Sequence, residues 1–275
     1  MAVPALRIRS ANPCGIRAKG NYVLYWMIAA RRTTWSYALD HAIAQARALE
    51  VPLLVLEPLR VAYPWACDRF HAFVVHGMAD NQRAFAAAGV TYHPYVEPAP
   101  GNGRGLLEAL AAKARLVITD EWPGFFQPRM VAAAAEKLDV RVDVVDSCGV
   151  LPLRFVDRAY PTAASFRRQV QRHVLPHLLA PPSARPLAKL PKILRGAELP
   201  ARVAKTWPAA SAALLAGTAE ALAGLPIDHA IAPISDRGGA VAGGATGSML
   251  MRGSAKHTRQ QIGRASCRER VSVLV

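Results

Sequence analysis

The sequence predicts an α/β fold: a Rossmann-like, doubly wound, parallel five-stranded sheet, followed by a linker and the start of an α-helical domain. Three observations carry that expectation. Short apolar runs recur without polar alternation, the pattern of strands buried on both faces. Each run is followed by residues of helical period, and Tyr-Pro, Gly and Pro turn signals separate the units. Strands that alternate with helices specify parallel βαβ units, which right-handed crossovers wind into an open sheet.

Residues 22–27 (YVLYWM) form the first expected strand. Its helix begins near Trp35, because Trp35, Ala38, Leu39, Ala42, Ile43, Ala46 and Leu49 recur at spacings of three and four. Asp40, His41, Gln45 and Arg47 take the opposite face, and Thr33 or Thr34 supplies the expected N-cap oxygen. The second strand is 52–57 (PLLVLE), and Phe70, Phe73, Val74, Gly77 and Met78 mark the helix after the Tyr63-Pro64 turn. A weaker third strand follows at 91–96. The cycle then repeats twice, with helices around 106–114 and 127–138 and strands at 116–119 (LVIT) and 140–145 (VRVDVV). Beyond Asp146 the pattern changes. Helices are expected at 163–178 and 207–222, and the proline-rich APPSARPLAKLPKILRGAELP between them is incompatible with regular structure. From Gly238 onward there is no sustained period, and no fold is predicted.

The 275 residues are 52% hydrophobic with a mean hydropathy of +0.14, enough apolar material for one large or two modest domains. No apolar run approaches the roughly 18 residues of a membrane span, and the N-terminus lacks an apolar block before a small-residue cleavage site. A cytoplasmic protein is expected. Cys14, Cys67, Cys148 and Cys267 form no CxxC pair, which argues for reduced thiols rather than a zinc site or a disulfide framework. The net charge of +15 is unevenly placed: residues 1–146 hold 16 Lys and Arg against 13 Asp and Glu (+3), and residues 147–275 hold 18 against 6 (+12). That asymmetry suggests a polyanionic partner for the second half, with compositional drift toward arginine as the competing explanation.

In a doubly wound sheet, ligands bind outside the carboxyl ends of the strands, where the strand order reverses. An order of 3-2-1-4-5 puts the reversal between the first and fourth strands. The loops after Met27 and Thr119 (TDEWPGF) would then face one another, lined by Met27, Ala29, Arg31, Asp120 and Trp122. The competing reading has Arg31 and Arg32 merely capping a helix entrance. Other candidates are weaker. Gly101, Gly103 and Gly105 follow a strand and precede a helix, but Leu106 stands where a dinucleotide fingerprint requires its third glycine, so a surface turn is expected. His71 and His76 have the wrong helical spacing for a shared metal, and His173 and His177 bracket Pro176, which argues for structural histidines. No Gly-x-Ser-x-Gly elbow or Ser/His/Asp arrangement is visible.

YVLYWMIAARRTTWSYALDHAIAQA, followed by PLLVLEPL and YPWACDRFHAFVVHGM, resembles the N-terminal domain of class II deoxyribodipyrimidine photolyases in the photolyase/cryptochrome family. The Tyr25-Trp26-Met27 triplet, the arginine after it, the Ala38-Leu39 pair and the Tyr63-Pro64 to Arg69 turn carry the likeness. It continues through VDSCGVLPLRFVDRAYPTAASFRRQV to LPIDHAIAPISDRGG, while Ser36 departs from the asparagine expected there. The resemblance implies an antenna-type α/β domain over 20–146 that can house a deazaflavin- or folate-type chromophore, with Met27, Glu57, Asp120 and Trp122 as crevice wall. It implies a linker and the start of a helical FAD-binding domain over 147–244. There Arg167, Arg168 and Arg172 lie on a helix that either joins a DNA-facing surface or is a solvated face.

The activity implied is light-driven repair of cyclobutane pyrimidine dimers in DNA. In the family, excited reduced flavin donates an electron to a dimer flipped from the duplex, where its bonds become reachable. Such a protein is expected to be a monomer at full length and to need no membrane. After Gly244 the family's flavin motif and flavin-reducing tryptophans are missing, so the FAD site is expected to be absent. Trp26, Trp35, Trp65, Trp122 and Trp207 are expected as core or crevice residues. QQIGRASCRERVSVLV resembles translated sequencing adapter, and 245–275 is expected to be a non-native or frameshifted tail. Two other readings stand beside this one: a stand-alone nucleotide- or chromophore-binding Rossmann-like module, and a cryptochrome-like light sensor.

Overall fold

The computed structural model describes residues 2–156 and 158–232, together with the backbone of Val241–Gly243 and Met249–Met251. Six strands form the main sheet: β1 (Ile8–Ser10), β2 (Tyr22–Trp26), β3 (Leu53–Leu59), β4 (Thr91–Val96), β5 (Ala114–Glu121) and β6 (Val142–Asp146). Their order is β1-β6-β5-β2-β3-β4, with β1 antiparallel to β6 and every other pairing parallel. The five expected strands are thus present in the expected order, and the count is corrected to six. β1 escapes sequence reading because it is a three-residue edge strand with a half-buried Ile8 and two exposed polar residues, and so has no apolar run.

Helices α1 (Tyr37–Ala48), α2 (Asp68–Ala88), α3 (Leu106–Ala111) and α4 (Gln127–Lys137) make the crossovers. Every residue of β2 and β6 is buried; β2 therefore reads as an unbroken apolar string, whereas β6 (VDVVD) carries two buried aspartates. Alternation along each strand divides the side chains between two cores. Leu24, Trp26 and Leu56 pack with Leu106, Leu110 and Val131 of α3 and α4. Val23, Tyr25, Met27 and Val55 face the other way, onto Leu39, Ala42 and Ile43 of α1.

α1 begins later than the periodicity predicts. Ser36, not Thr33 or Thr34, is its N-cap, and the Ser36 hydroxyl accepts the Leu39 N–H at 3.2 Å. Trp35 lies before the helix with φ of 51° and its side chain on the surface, so it is not a core residue.

Beyond β6, a 3-10 turn (Leu153–Phe155) leads to α5 (Ala163–Leu178), which Thr162 caps. No residue of α5 is buried, and Leu175, Leu178 and the following Leu179 are exposed. The helix expected over 207–222 is replaced by α7 (Ala212–Leu215) and α8 (Ala219–Leu222), after a separate α6 (Ala201–Thr206). Pro208 holds Trp207 out of the helical region, and Gly217 takes φ of 63° between α7 and α8.

The segment after α5 belongs to the sheet's own cores. Leu190 and Leu194 join the α1 side, and Ala197, Val203 and Trp207 join the other. It also covers the β4 edge: Thr91 Oγ1 donates to the Ala197 carbonyl at 2.6 Å, and the Ala210 N–H donates to the Pro94 carbonyl at 2.8 Å. β7 (Val241–Gly243) and β8 (Met249–Met251) pair antiparallel. Apart from β8, the expected tail at 245–275 lies outside the described residues.

Candidate functional site

The strand order reverses between β2 and β5, and a cavity of about 1290 Å³ opens beside that point on the α3/α4 face. Trp26 and Leu56 contribute from the sheet, Leu106 from α3 and Met130 from α4. The loops after β3 and β5 complete the wall with Tyr63, Trp65, Phe125 and Phe126. These loops meet through their rings. Trp65 packs edge-on against Phe125 with centroids 5.6 Å apart, Tyr63 lies 6.0 Å from Phe126, and the Arg60 guanidinium stands 5.9 Å over the Phe126 ring. Trp65 and Phe125 are nevertheless 56% and 70% exposed, so the rim offers apolar surface that the chain itself does not cover. Burial lifts the Tyr63 phenol to about 12.

Acidic side chains at the carboxyl ends of the strands are turned inward. Asp120 Oδ1 accepts the Tyr25 hydroxyl at 2.7 Å, and its Oδ2 accepts the N–H groups of Ile28, Ala29 and Ala30 at 2.9, 2.8 and 3.0 Å. Glu57 receives Arg31 at 3.0 Å on one oxygen, and Asn81 at 2.8 Å and the Tyr92 hydroxyl at 2.6 Å on the other. Glu97 closes the glycine turn, accepting the N–H groups of Gly101 and Gly103 at 2.9 and 3.2 Å. Asp146 takes the N–H groups of Cys148 and Leu153 at 2.7 and 2.6 Å. Burial, with Asp120 beside it, raises the Tyr25 phenol well above its ordinary range, and burial with Glu57 does the same for Tyr92.

Of the expected crevice residues, Arg31 reaches the cavity. Met27, Glu57 and Asp120 are buried behind its wall, Ala29 contributes its N–H to Asp120, and Trp122 lies outside the lining, 39% exposed. Strand parity is the reason. Met27 shares the α1 face with Tyr25, and its Sδ accepts the Asn81 amide at 3.7 Å, whereas the neighbouring Trp26 faces the cavity. Tyr63, Phe125 and Phe126 belong to no period. The signal available for them is aromatic residues inside the proline turns YPW and WPGFF, where no core needs filling.

Arg167, Arg168 and Arg172 are exposed on α5, with Arg168 and Arg172 one turn apart. His71 Nδ1 bonds the Cys67 carbonyl at 3.2 Å and His76 Nε2 the Ala216 carbonyl at 2.9 Å, while the rings of His173 and His177 pack on Phe155. Among the described residues no cluster of His, Cys, Asp and Glu has the arrangement of a metal site.

Over 173 residues, 62% of its length, the chain is 29% identical to the deoxyribodipyrimidine photo-lyase of Methanothermobacter thermautotrophicus. The chain is similar to a photolyase. It spans 38% of that curated relative. Among solved structures, a bacterial class III photolyase from Agrobacterium tumefaciens matches 66% of this chain and 37% of its own, at 16% identity and a TM-score of 0.47. A universal stress protein solved in complex with cAMP matches 47% of this chain and 99% of its own, at 18% identity and a TM-score of 0.29. No protein-family model matches the chain. No helix among the described residues is long and apolar enough to cross a membrane.

Proposed function

We propose that this chain is the antenna-bearing α/β portion of a class II photolyase-type DNA repair protein. The observation that carries the reading is the aromatic-rimmed cavity at the strand-order reversal, in a chain similar to a deoxyribodipyrimidine photo-lyase. A large concave site whose aromatic and aliphatic walls are edged by Arg and Lys suits a planar fused-ring chromophore of deazaflavin or folate type. Such a group, when bound, absorbs light and passes the excitation on. The chain's own residues would hold it: Trp26 and Leu56 would offer apolar surface, Trp65 and Phe125 would keep water away, and Tyr63 and Arg31 would supply polar contacts.

In this reading the excitation passes to FAD in a helical domain, and the substrate is DNA carrying cyclobutane pyrimidine dimers. Arg168 and Arg172, with Arg167 beside them, neutralise DNA phosphates, each such contact adding close to one unit to the salt dependence of binding.

Chromophore retention tests the reading. The purified chain is mixed with a deazaflavin or a reduced folate and passed through a gel-filtration column, and the absorption spectrum of the protein peak is recorded. Stoichiometric retention with quenched tryptophan emission is the expected result. A chain that keeps neither ring compound sinks the antenna reading, and one that keeps ATP instead shifts support to a stand-alone nucleotide-binding module.

A further inference from the structure

Charge is unevenly placed around the cavity. Arg31, Arg60, Arg104, Arg129 and Lys137 line it, against the carboxylates of Glu97 and Glu108. Topology brings the four arginines together. β2, β3, β4 and β5 run parallel, so the loops that follow them share one end of the sheet. Arg31 comes after β2, Arg60 after β3 and Arg104 after β4, and Arg129 lies in the first turn of α4, after β5. Lys137 ends α4, roughly 12 Å further along at the helical rise per residue, and stands apart.

The chain neutralises one of the four. Arg31 pairs with Glu57 at 3.0 Å. Arg60, Arg104 and Arg129 are exposed, and among the described residues none of them forms an ion pair. Glu97 is buried and already committed, one oxygen to the Gly101 and Gly103 N–H groups and the other to the Val61 N–H at 3.3 Å. The Arg60 guanidinium sits over Phe126, the residue that precedes α4, and so is held beside the turn that carries Arg129. That turn contains no acidic side chain, and a cation there works against the helix dipole. Three arginines that repel one another and find no carboxylate in the chain suit an anion brought by the ligand.

We propose that Arg60, Arg104 and Arg129 form an anion subsite at the carboxyl end of the cavity, so that its occupant is a fused-ring compound bearing a phosphate or carboxylate group. The proposal rests on the reading of the cavity as a ring site and adds the charge of what it takes. Guanidinium groups meet either oxyanion in the same forked geometry. Because these three are exposed, their attraction is modest and sensitive to salt.

The test titrates the full chain, followed by tryptophan quenching, with two pairs that differ in charge: riboflavin against riboflavin 5′-phosphate, and pteroic acid against folate, which adds a glutamate. At about 50 mM salt the more anionic member of at least one pair is expected to bind about tenfold tighter. At about 0.5 M salt, where the Debye length falls to a few ångströms, the gap should close to about twofold. A gap in the flavin pair alone identifies a phosphate, and one in the folate pair alone a carboxylate tail. The combined variant Arg60→Gln, Arg104→Gln and Arg129→Gln should abolish the gap and leave riboflavin affinity within about twofold. The same changes to glutamine at Arg47, Lys113 and Arg185, which are exposed and outside the lining, should leave the gap intact. Equal affinities within both pairs, a gap that survives the loss of the three cavity arginines, or one that closes equally in the control variant overturns the proposal. If no ring compound binds, the ring-site reading falls and inorganic pyrophosphate decides the subsite. A melting temperature raised by a few degrees in the native chain but not in the arginine variant sustains it, and no such difference overturns it.

Discussion

The Tyr25 hydroxyl donates to Asp120 Oδ1 at 2.7 Å, while the other oxygen of the same carboxylate gathers three N–H groups from the loop that follows β2. One side chain therefore ties β5 to β2 and fixes the loop at the strand-order reversal. Asp120→Ala strands three backbone donors and a phenol, and is expected to cost about 3–5 kcal/mol. Tyr25→Phe removes one donor and costs about 1–2 kcal/mol. Urea unfolding of both variants and the double variant measures the coupling, and a coupling energy near zero would show that the two act separately.

Met27, behind the wall, and the aromatics of the cavity rim should behave in opposite ways. Met27 is fully buried on the α1 side, so Met27→Ala is expected to cost about 2–5 kcal/mol and to leave ring binding within about twofold. Trp65 and Phe125 are exposed at the rim, so replacing either with alanine should leave stability within about 0.5 kcal/mol and weaken ring binding about tenfold. Equal losses of affinity in the Met27 and Trp65 variants would show that the wall is wrongly assigned.

His229 stands between two acceptors, with Nδ1 2.8 Å from Asp68 Oδ1 and Nε2 3.0 Å from the Leu225 carbonyl. The hydrogen bond to Asp68 raises the imidazole pKa above its ordinary 6.5. The contribution is thus fully present below 6.5 and is lost as pH rises through the raised folded-state value. The segment it secures pairs with the start of α2 through Asp68 N–H to the Asp228 carbonyl and Arg69 N–H to the Ile231 carbonyl, each at 3.1 Å. Amide exchange at these sites, corrected for its intrinsic pH dependence, should quicken across that window, and His229→Gln should flatten the profile.

Cys148 should be inert while the chain is folded. Burial first, then the neighbouring Asp146 and Asp120, push its thiol up to about 12, so almost no thiolate exists at neutral pH. Iodoacetamide is expected to label Cys14 before Cys148, with Cys148 reacting on unfolding. Peptide-level mass spectrometry distinguishes the two, and rapid labelling of the half-buried Cys148 in the native state would show that its thiol is not held protonated.

Strand order was readable because buried parallel strands are written as largely apolar runs: YVLYWM at 22–27 is unbroken, PLLVLE at 52–57 ends in Glu57 and VRVDVV at 140–145 is interrupted by Arg141 and Asp143, and they fall on β2, β3 and β6. The same continuity conceals which way each side chain points. With no polar residue alternating along YVLYWM, nothing in the string distinguishes Trp26, which faces the cavity, from Met27, which does not. β1 and the α7/α8 pair were illegible for other reasons. The first is specified by its pairing with β6, and the second by one glycine inside an otherwise helical pattern. The wall aromatics sit in turns, where period carries no information.

The bonds that Thr91 and Pro94 of β4 make to Ala197 and Ala210 have a practical corollary for anyone preparing the α/β part alone. A polypeptide ending at Asp146 would leave one margin of the sheet unhemmed and strip Leu194, Val203 and Trp207 from its interior. Such margins recruit strands from neighbouring molecules. The shorter product should therefore pass into oligomers as its concentration rises, and the smallest fragment that keeps to itself should extend through Ala210.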